Sequence, residues 1–293
     1  MSTDPIDPNE SEASLAPIEP VAPAGGDEVL PADEGDAPLR PLAEGDLVLL
    51  VDNKARRYLV TLQAGGEFHS HAGIVEHDAL IGRDAGREVR SSRHTRYVVL
   101  RPTLNDYVLK MPRGAQVIYP KDIGPLLLLA DIAPGVRVLE SGVGSGALSM
   151  GLLRAGAEIV GYELREDFAA RARRNVAAFL GDGALGRYRI EVRDSYDGID
   201  EREVDRIVLD LPEPWRVVGP ATEALVPGGL FVAYTPQITQ AARLREELDR
   251  RRFALAETLE VMNRGWHIEG AAVRPNHRMV GHTGFLTHAR LLR

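Results

Sequence analysis

The stretch Val138-Leu-Glu-Ser-Gly-Val-Gly-Ser-Gly-Ala-Leu148 decides the fold of this chain. Its first residues are apolar and strand-like, its three glycines allow a sharp turn, and the apolar residues after them predict a helix. A glycine-rich turn between a strand and a helix presents backbone amides to a ligand, which is typical of a nucleotide site. The stretch therefore predicts the first strand, loop and helix of a ligand-binding α/β domain.

Strands and helices alternate along the chain around this loop. Strands are predicted at 137–140, 158–162, 188–192, 206–209 and 229–234, and helices at 123–132, 147–155, 166–180 and 239–252. Alternation at this spacing predicts a parallel, doubly wound sheet. A hairpin region is expected after the last helix.

The segment from about residue 42 to residue 108 has a different pattern. Short β-branched or aromatic runs are separated by Asp-Asn, Gly-Gly and Gly-Arg-Asp turn signals. The runs lie at Leu47–Val51, Arg57–Thr61, Gly73–Val75 and Tyr97–Arg101. They predict a small antiparallel β module ahead of the α/β domain.

The charge of the chain is unevenly distributed. The net charge is −8, yet residues 1–39 contain ten carboxylates and no lysine or arginine. The rest of the chain has 35 basic residues, 32 of them arginine, and 33 acidic residues, so it is nearly neutral. The first 40 residues, acidic and rich in proline and alanine, are predicted to be a disordered tail because they have too little apolar surface to offset their ordering entropy.

Several classes of protein are excluded or made unfavourable by composition. The chain has no cysteine, which excludes disulfides, thiolate zinc sites and methylation at C5 of a pyrimidine through a cysteine adduct. No stretch has the roughly 18 uninterrupted apolar residues of a membrane helix, and the N-terminus does not resemble a signal peptide. We expect a cytoplasmic protein with no membrane association and no metal.

Two carboxylates accompany the glycine loop. Glu163 follows the next strand, 21 positions after Gly142, where a carboxylate can accept both ribose hydroxyls of a nucleoside. Glu140 suits the ammonium group of S-adenosylmethionine and would repel a pyrophosphate. Gly142, Gly144 and Ala147 also satisfy a relaxed dinucleotide fingerprint. An NAD-dependent oxidoreductase therefore remains the alternative to a methyltransferase.

Two aspartates follow later strands of the predicted sheet. Asp194 could accept the adenine amino group of the cofactor, or it could be a turn residue. Asp210 ends an apolar strand, and the prolines of the following Leu-Pro-Glu-Pro-Trp segment stiffen the loop. A carboxylate that accepts a hydrogen bond from the N6 amine of adenine would orient the base and favour the positive charge that develops as N1 is methylated. Asp210 is our candidate for this role.

Two tyrosines are candidates for contact with a flipped base. Tyr119 lies in Ile118-Tyr-Pro-Lys-Asp122, and Tyr234 begins the segment Tyr-Thr-Pro-Gln-Ile-Thr-Gln240. Aromatic faces hold bases that have left an RNA stack. Taken alone, either tyrosine is more often a core residue with a satisfied hydroxyl.

Five segments together resemble the tRNA (adenine-58-N1)-methyltransferase family over roughly residues 41–293. They are residues 107–122, 139–148, 210–215, 234–240 and 281–286. The resemblance implies an α/β fold in which a Rossmann-like class I methyltransferase domain, residues 109–293, follows a small N-terminal β domain, residues 41–108. It also implies S-adenosylmethionine as cofactor, tRNA as substrate and a homotetramer.

The resemblance also implies a role for each candidate residue. Asp210 would be the catalytic carboxylate, Tyr119 and Tyr234 would contact the base, Glu163 would hold the cofactor ribose and Asp194 its adenine. The remaining cofactor contacts would be Glu140, Gly142, Gly144, Ser145, Gly146, Ala147 and Leu148, with Asp210 beside them. His282 is expected in a packed strand. A non-catalytic tRNA-binding module with a vestigial cofactor pocket remains a further alternative.

Overall fold

A computed structural model describes residues 40–114 and 116–293, which belong to one compact unit. The predicted disordered tail lies outside these residues, apart from Arg40. Within the described part of the chain, no helix is long and apolar enough to cross a membrane.

The N-terminal part forms the predicted antiparallel module. Four strands pair in the order β2-β1-β6-β5, and β3 and β4 form a separate hairpin. The strands are β1 (Leu47–Asp52), β2 (Arg57–Thr61), β3 (Glu67–Ser70), β4 (Gly73–Glu76), β5 (Arg87–Arg90) and β6 (Arg96–Leu100). Alternate apolar side chains, among them Val48, Leu50, Tyr97 and Val99, enclose a core of their own. Strands β3 and β5 were not predicted, because they are short and mostly polar.

The rest of the chain is built on one seven-stranded sheet. Its strands are β7 (Arg137–Ser141), β8 (Glu158–Glu163), β9 (Tyr188–Val192), β10 (Val204–Asp210), β11 (Leu225–Thr235), β12 (Phe253–Glu260) and β15 (Phe285–Leu291), and they pair in the order β12-β15-β11-β10-β7-β8-β9. Helices α1 (Leu104–Lys110), α2 (Pro120–Leu129), α3 (Ala147–Arg154), α4 (Glu166–Leu180), α5 (Val218–Ala224) and α6 (Ile238–Asp249) accompany it. The predicted domain boundary at residue 108 falls inside α1.

The helices cover both faces of this sheet because successive strand residues point to opposite sides. In β7, Val138 packs into a core with α1 to α4, whereas Leu139 packs into a second core with α5 and α6. Both side chains are almost fully buried. The sheet is therefore buried between two helical layers, and ligands can reach it only at its edges.

The predicted parallel pairing is confirmed for β7 to β11, and the C-terminal region adds β12 and β15 to the same sheet. Strand β15 runs antiparallel to both of its neighbours, β11 and β12. Between β12 and β15 the chain forms only the small hairpin of β13 (Trp266–Glu269) and β14 (Ala272–Pro275). Without a crossover helix in this connection, the chain returns beside β12 in the opposite direction.

Phe231 offers a test of the second core. Its side chain is fully buried in β11 and meets the ring of Phe253 edge-on, with 5.6 Å between centroids. Replacing Phe231 with Ala should lower the free energy of unfolding by about 3–5 kcal/mol, because the transfer energy of the ring is lost and a cavity remains. Urea denaturation measures this change.

The matched control is Leu128→Ala, since Leu128 is 83% exposed on α2. It should change the free energy of unfolding by less than about 0.5 kcal/mol. Equal effects of the two substitutions would contradict the assignment of Phe231 to the core.

Candidate active site

The glycine loop connects β7 to α3 and needs glycine for two different reasons. Gly142, Gly144 and Gly146 have φ angles of +84°, +57° and +81°, a region that favours glycine. A Cβ atom on Gly142 would lie 2.1 Å from the carbonyl oxygen of Asp210, so the loop after β7 can pass this close to the end of β10 only with glycine at this position. A Cβ atom on Gly144 would have no neighbour closer than 3.9 Å. The loop is therefore packed at its first glycine and open at its second.

Glu163, at the end of β8, faces the glycine loop as predicted. Its Oε2 accepts a hydrogen bond of 2.8 Å from the backbone N–H of Gly144, and its Oε1 accepts one of 3.0 Å from the N–H of Arg165. The side chain is nearly buried. These two amides hold the carboxylate at the rim of the crevice, in a place where it can also meet ligand hydroxyl groups.

Glu140 is buried beneath the loop and forms no ion pair within the described chain. Only 1% of the residue is exposed, and among the described residues neither carboxylate oxygen has a hydrogen-bond partner. Burial raises the pKa of Glu140 to about 8; the neighbouring hydroxyl and backbone N–H of Ser149 partly offset this rise, and the nearby charges of Asp210 and Glu163 add to it. The hydroxyl of Ser145 is also buried and unpartnered in the described part of the chain. This site therefore fits a ligand that brings a cation and hydrogen-bond donors, such as an ammonium group.

Asp210 ends β10 at the same edge of the sheet. Its Cα pairs with that of Tyr234 on the parallel strand β11. Burial, followed by the charge of Glu163, raises the pKa of Asp210 to about 7. Three carboxylates thus converge where β7, β8 and β10 end, which matches the predicted placement of Glu140, Glu163 and Asp210.

The loop that follows Asp210 is fixed by two side chains that the sequence analysis did not assign. The backbone N–H of Glu213 donates to the hydroxyl oxygen of Tyr196 over 3.0 Å, and Nε2 of Gln240 donates to the carbonyl oxygen of Pro212 over 2.9 Å. Gln240 belongs to the segment that begins at Tyr234. The signal for this contact in the sequence was a polar side chain in the first turn of the predicted helix 239–252.

Asp194 has the contact expected of a turn residue. Its Oδ1 accepts a hydrogen bond of 2.8 Å from the N–H of Tyr196 and caps the short 3₁₀ turn Ser195–Asp197. Because β9 runs parallel to β7 and β8, this turn lies at the same edge of the sheet as the glycine loop. Its contact with adenine stays a prediction.

The two tyrosines differ in their surroundings. Tyr119 is half-buried and forms the N-cap of α2. Tyr234 is only 7% exposed, and its hydroxyl donates to the carbonyl oxygen of Thr283 over 2.6 Å. A Cβ atom on Gly284 would lie 2.4 Å from the Tyr234 ring. Tyr234 therefore has a hydrogen-bonded hydroxyl and an enclosed ring. This is the environment of a core residue, the alternative role that the sequence left open for this tyrosine. Its contact with a base stays a prediction.

One further residue that the sequence analysis missed secures the glycine loop. Asn175 is buried on α4, and its Nδ2 donates to the carbonyl oxygens of Ser145 over 2.9 Å and of Pro112 over 3.0 Å. Ala147 and Leu148, the first residues of α3, are buried beside the loop. The loop is thereby held between α3, α4 and the segment that precedes α2.

Family models match two parts of the chain. The family described as "tRNA methyltransferase complex GCD14 subunit" matches residues 96–273, and the family described as "TrmI-like N-terminal" matches residues 41–89. The first match alone covers more than half of the chain and includes the glycine loop and Asp210.

Two curated relatives agree with these matches. The chain is 41% identical to tRNA (adenine(58)-N(1))-methyltransferase TrmI of Thermus thermophilus, over 83% of this chain and 96% of that protein. It is 35% identical to tRNA (adenine(57)-N(1)/adenine(58)-N(1))-methyltransferase TrmI of Methanocaldococcus jannaschii, over 83% of this chain and 94% of that protein.

A solved structure confirms the predicted Rossmann-like class I methyltransferase fold. The protein described as a SAM-dependent O-methyltransferase from Thermotoga maritima superimposes with a TM-score of 0.82 at 33% identity, covering 87% of this chain and 96% of that one. These similarities favour S-adenosylmethionine over a dinucleotide at the glycine loop. The chain belongs to the tRNA (adenine-58-N1)-methyltransferase family.

Proposed function

We propose that this protein transfers a methyl group from S-adenosylmethionine to N1 of adenine 58 in tRNA. The observation that carries the proposal is the convergence of Glu140, Glu163 and Asp210 at the open edge of the sheet, where Glu140 is buried without a partner in the described chain. The raised pKa values of Glu140 and Asp210 favour a cationic ligand, because a bound cation would stabilise the ionised carboxylates. The names of the relatives supply the base and its position.

The cofactor, when bound, supplies a methyl group activated by its sulfonium charge. Glu140 would pair with its ammonium group, Glu163 would accept from its ribose hydroxyls, and Asp194 would accept from its adenine amine. The remaining contacts would come from the loop and the first turn of α3, namely Gly142, Gly144, Ser145, Gly146, Ala147 and Leu148. Because Glu163 already accepts a hydrogen bond from the N–H of Gly144, its carboxylate is held in place before the ligand arrives.

Asp210 would hold the target base. As a carboxylate it accepts a hydrogen bond from the N6 amine, which leaves the N1 lone pair in the plane of the ring and free to attack. Its negative charge also stabilises the positive charge that forms on the methylated base. The hydrogen bonds from Gln240 to Pro212 and from Glu213 to Tyr196 keep the loop after Asp210 in place. This loop would orient the base through hydrogen bonds alone. Tyr119 and Tyr234 would border the base on the side of α2 and β11.

We propose a homotetramer whose contacts cover the exposed apolar residues in and just after the C-terminal hairpin. Ile268 and Val273 are paired across β13 and β14, and they are 73% and 59% exposed. Trp266, Met279 and Val280 are also more than half exposed. A two-stranded hairpin is only marginally stable alone, and an apolar surface of this kind favours association. Other copies of the chain would cover this surface. The enzyme and its tRNA substrate would both be in the cytoplasm.

The buried Glu140 predicts how stability depends on pH without cofactor. The folded protein keeps a proton on Glu140 up to about pH 8, whereas the unfolded chain loses it near the ordinary value of 4.5. The folded state therefore binds more protons, and the free energy of unfolding falls as pH rises through this interval. In Glu140→Gln the fall should be shallower by about 1 kcal/mol per pH unit. Urea denaturation between about pH 5 and pH 8 measures the slope.

Glu158→Gln serves as the control for this pH series, because Glu158 is exposed at the start of β8. Its slope should equal that of the wild type. An unchanged slope in Glu140→Gln would show that the proton is not held at Glu140.

Replacing Asp210 with Ala tests the proposed reaction. Methyl incorporation into tRNA should fall by about 100-fold or more, because the group that orients the base and stabilises its charge is lost. The affinity for S-adenosylhomocysteine should change little, as measured by calorimetry. Mass spectrometry of the digested tRNA should locate 1-methyladenosine at position 58 for the wild type and show whether position 57 is modified.

Asp249→Ala, at the exposed end of α6, is the control for Asp210→Ala and should keep full activity. Wild-type rates in Asp210→Ala would refute the role of this carboxylate. RNA binding by the wild type without methyl transfer would instead support the non-catalytic alternative.

The hairpin predicts the oligomeric state. The double substitution Ile268→Asp and Val273→Asp places charges on the exposed apolar face and should shift a tetramer to smaller species. Size-exclusion chromatography with light scattering measures the mass, and circular dichroism checks that the fold is kept. The control Leu128→Asp, on α2, should leave the mass unchanged. A monomeric wild type would contradict the proposal.

A further inference from the structure

Residues 281–284, here called the C-terminal turn, precede β15 and are bonded to two elements of the active site through Thr283. The Oγ1 of Thr283 donates to Oδ2 of Asp122 over 2.7 Å, and its carbonyl oxygen accepts from the hydroxyl of Tyr234 over 2.6 Å. Asp122 lies in the first turn of α2, and Tyr234 lies near the end of β11. One residue therefore connects the helix that begins after Tyr119 with the strand that carries Tyr234.

Asp122 takes part in a buried ion pair at the same place. Its side chain is fully buried, and its Oδ1 lies 2.8 Å from Nζ of Lys121, whose side chain is 8% exposed. Nζ of Lys121 also donates to the carbonyl oxygen of Val261, just after β12. Burying two charges costs several kcal/mol per ion before their attraction is counted, and replacing a buried ion pair with apolar residues is often neutral or stabilising. The ion pair is better explained by the fixed orientation that it gives to the side chains of Lys121 and Asp122 than by its contribution to stability alone.

His282 holds the turn from a third side, and its predicted place in a packed strand was wrong. It lies before β15, is exposed, and bonds through Nδ1 to Oε1 of Glu260 over 2.6 Å and through Nε2 to the carbonyl oxygen of Pro236 over 2.8 Å. Pro236 follows β11 directly.

The helix end links this network to the other candidate base contact. The carbonyl oxygen of Tyr119 accepts hydrogen bonds from the N–H groups of Asp122 over 2.8 Å and of Ile123 over 3.0 Å. The position of Asp122 therefore fixes the backbone from which the Tyr119 side chain projects. Hydrogen bonds are directional. The series of bonds from Tyr119 through Asp122 and Thr283 to Tyr234 therefore restrains the relative position and orientation of the two tyrosine rings.

We propose that Asp122 and Thr283 are positioning residues that hold Tyr119 and Tyr234 in one fixed arrangement around the target base, an inference that rests on the proposed function of this site. Neither residue needs to touch the base. Their effect would be on the orientation of the purine toward the methyl group, where small displacements cost large factors in rate. The cofactor contacts at the glycine loop would not depend on them.

The test compares Thr283→Val, which removes the hydroxyl and keeps the shape and the backbone carbonyl, with Thr283→Ser, which keeps the hydroxyl. The matched control is Thr258→Val, because Thr258 is also half-buried and its Oγ1 shares a 2.9 Å hydrogen bond with Thr287 between β12 and β15. Three quantities are measured for each variant: amide hydrogen exchange of peptides covering 119–124 and 281–285, kcat for tRNA methylation, and the Kd of S-adenosylhomocysteine.

We expect Thr283→Val to speed exchange in both peptides and to lower kcat about tenfold, with the Kd of S-adenosylhomocysteine within about twofold of the wild type. Thr283→Ser should restore both exchange and kcat, and Thr258→Val should change neither. Unchanged exchange at 119–124, an unchanged kcat, or an equal loss in Thr258→Val would overturn the inference. A wild type that methylates no tRNA would refute the proposed function, whereas the exchange comparison would still decide whether Thr283 couples the two segments.

Discussion

Three carboxyl groups gathered where β7, β8 and β10 end, none of them in an ion pair within the described chain, are the constraint on which the site depends. Glu140 is enclosed by two helical layers and has no hydrogen-bond partner among the described residues, and the carboxyl of Asp210 lies close enough to raise its pKa. Burying such groups destabilises the folded chain. The arrangement makes physical sense if a cationic ligand completes it, because the ligand then supplies the missing partner and gains affinity from the same charges.

Contacts within the surrounding loops hold these carboxyl groups in defined positions. Gly142 allows the backbone of β7 to approach Asp210, and Asn175 binds the glycine loop to the segment before α2. Gln240 and Tyr196 hold the loop after Asp210. Methyl transfer to a ring nitrogen needs alignment and electrostatic support more than it needs acid or base groups. A rigid acidic edge with well-anchored loops meets that requirement.

The sequence predicted the strands that carry strong local signals and missed the contacts that depend on distant residues. The glycine loop, Glu163 and Asp210 were found because each follows an apolar run in a parallel sheet, where strand ends share an edge. The bond from Gln240 to Pro212 spans 28 residues, and that from Thr283 to Asp122 spans 161. Pairings at these separations leave no periodic pattern in the chain.

By itself, the sequence determined the α/β class, the place of the glycine loop and the edge of the sheet at which Glu163 and Asp210 lie, since hydrophobic periodicity and glycine spacing are local properties. Only the tertiary structure decided that β15 runs antiparallel, that Glu140 is left unpaired, that Asp194 caps a turn and that Tyr234 is enclosed against Gly284. Those features arise when separate segments pack together, because burial and hydrogen-bond partners depend on which residues become neighbours and not on their order in the chain.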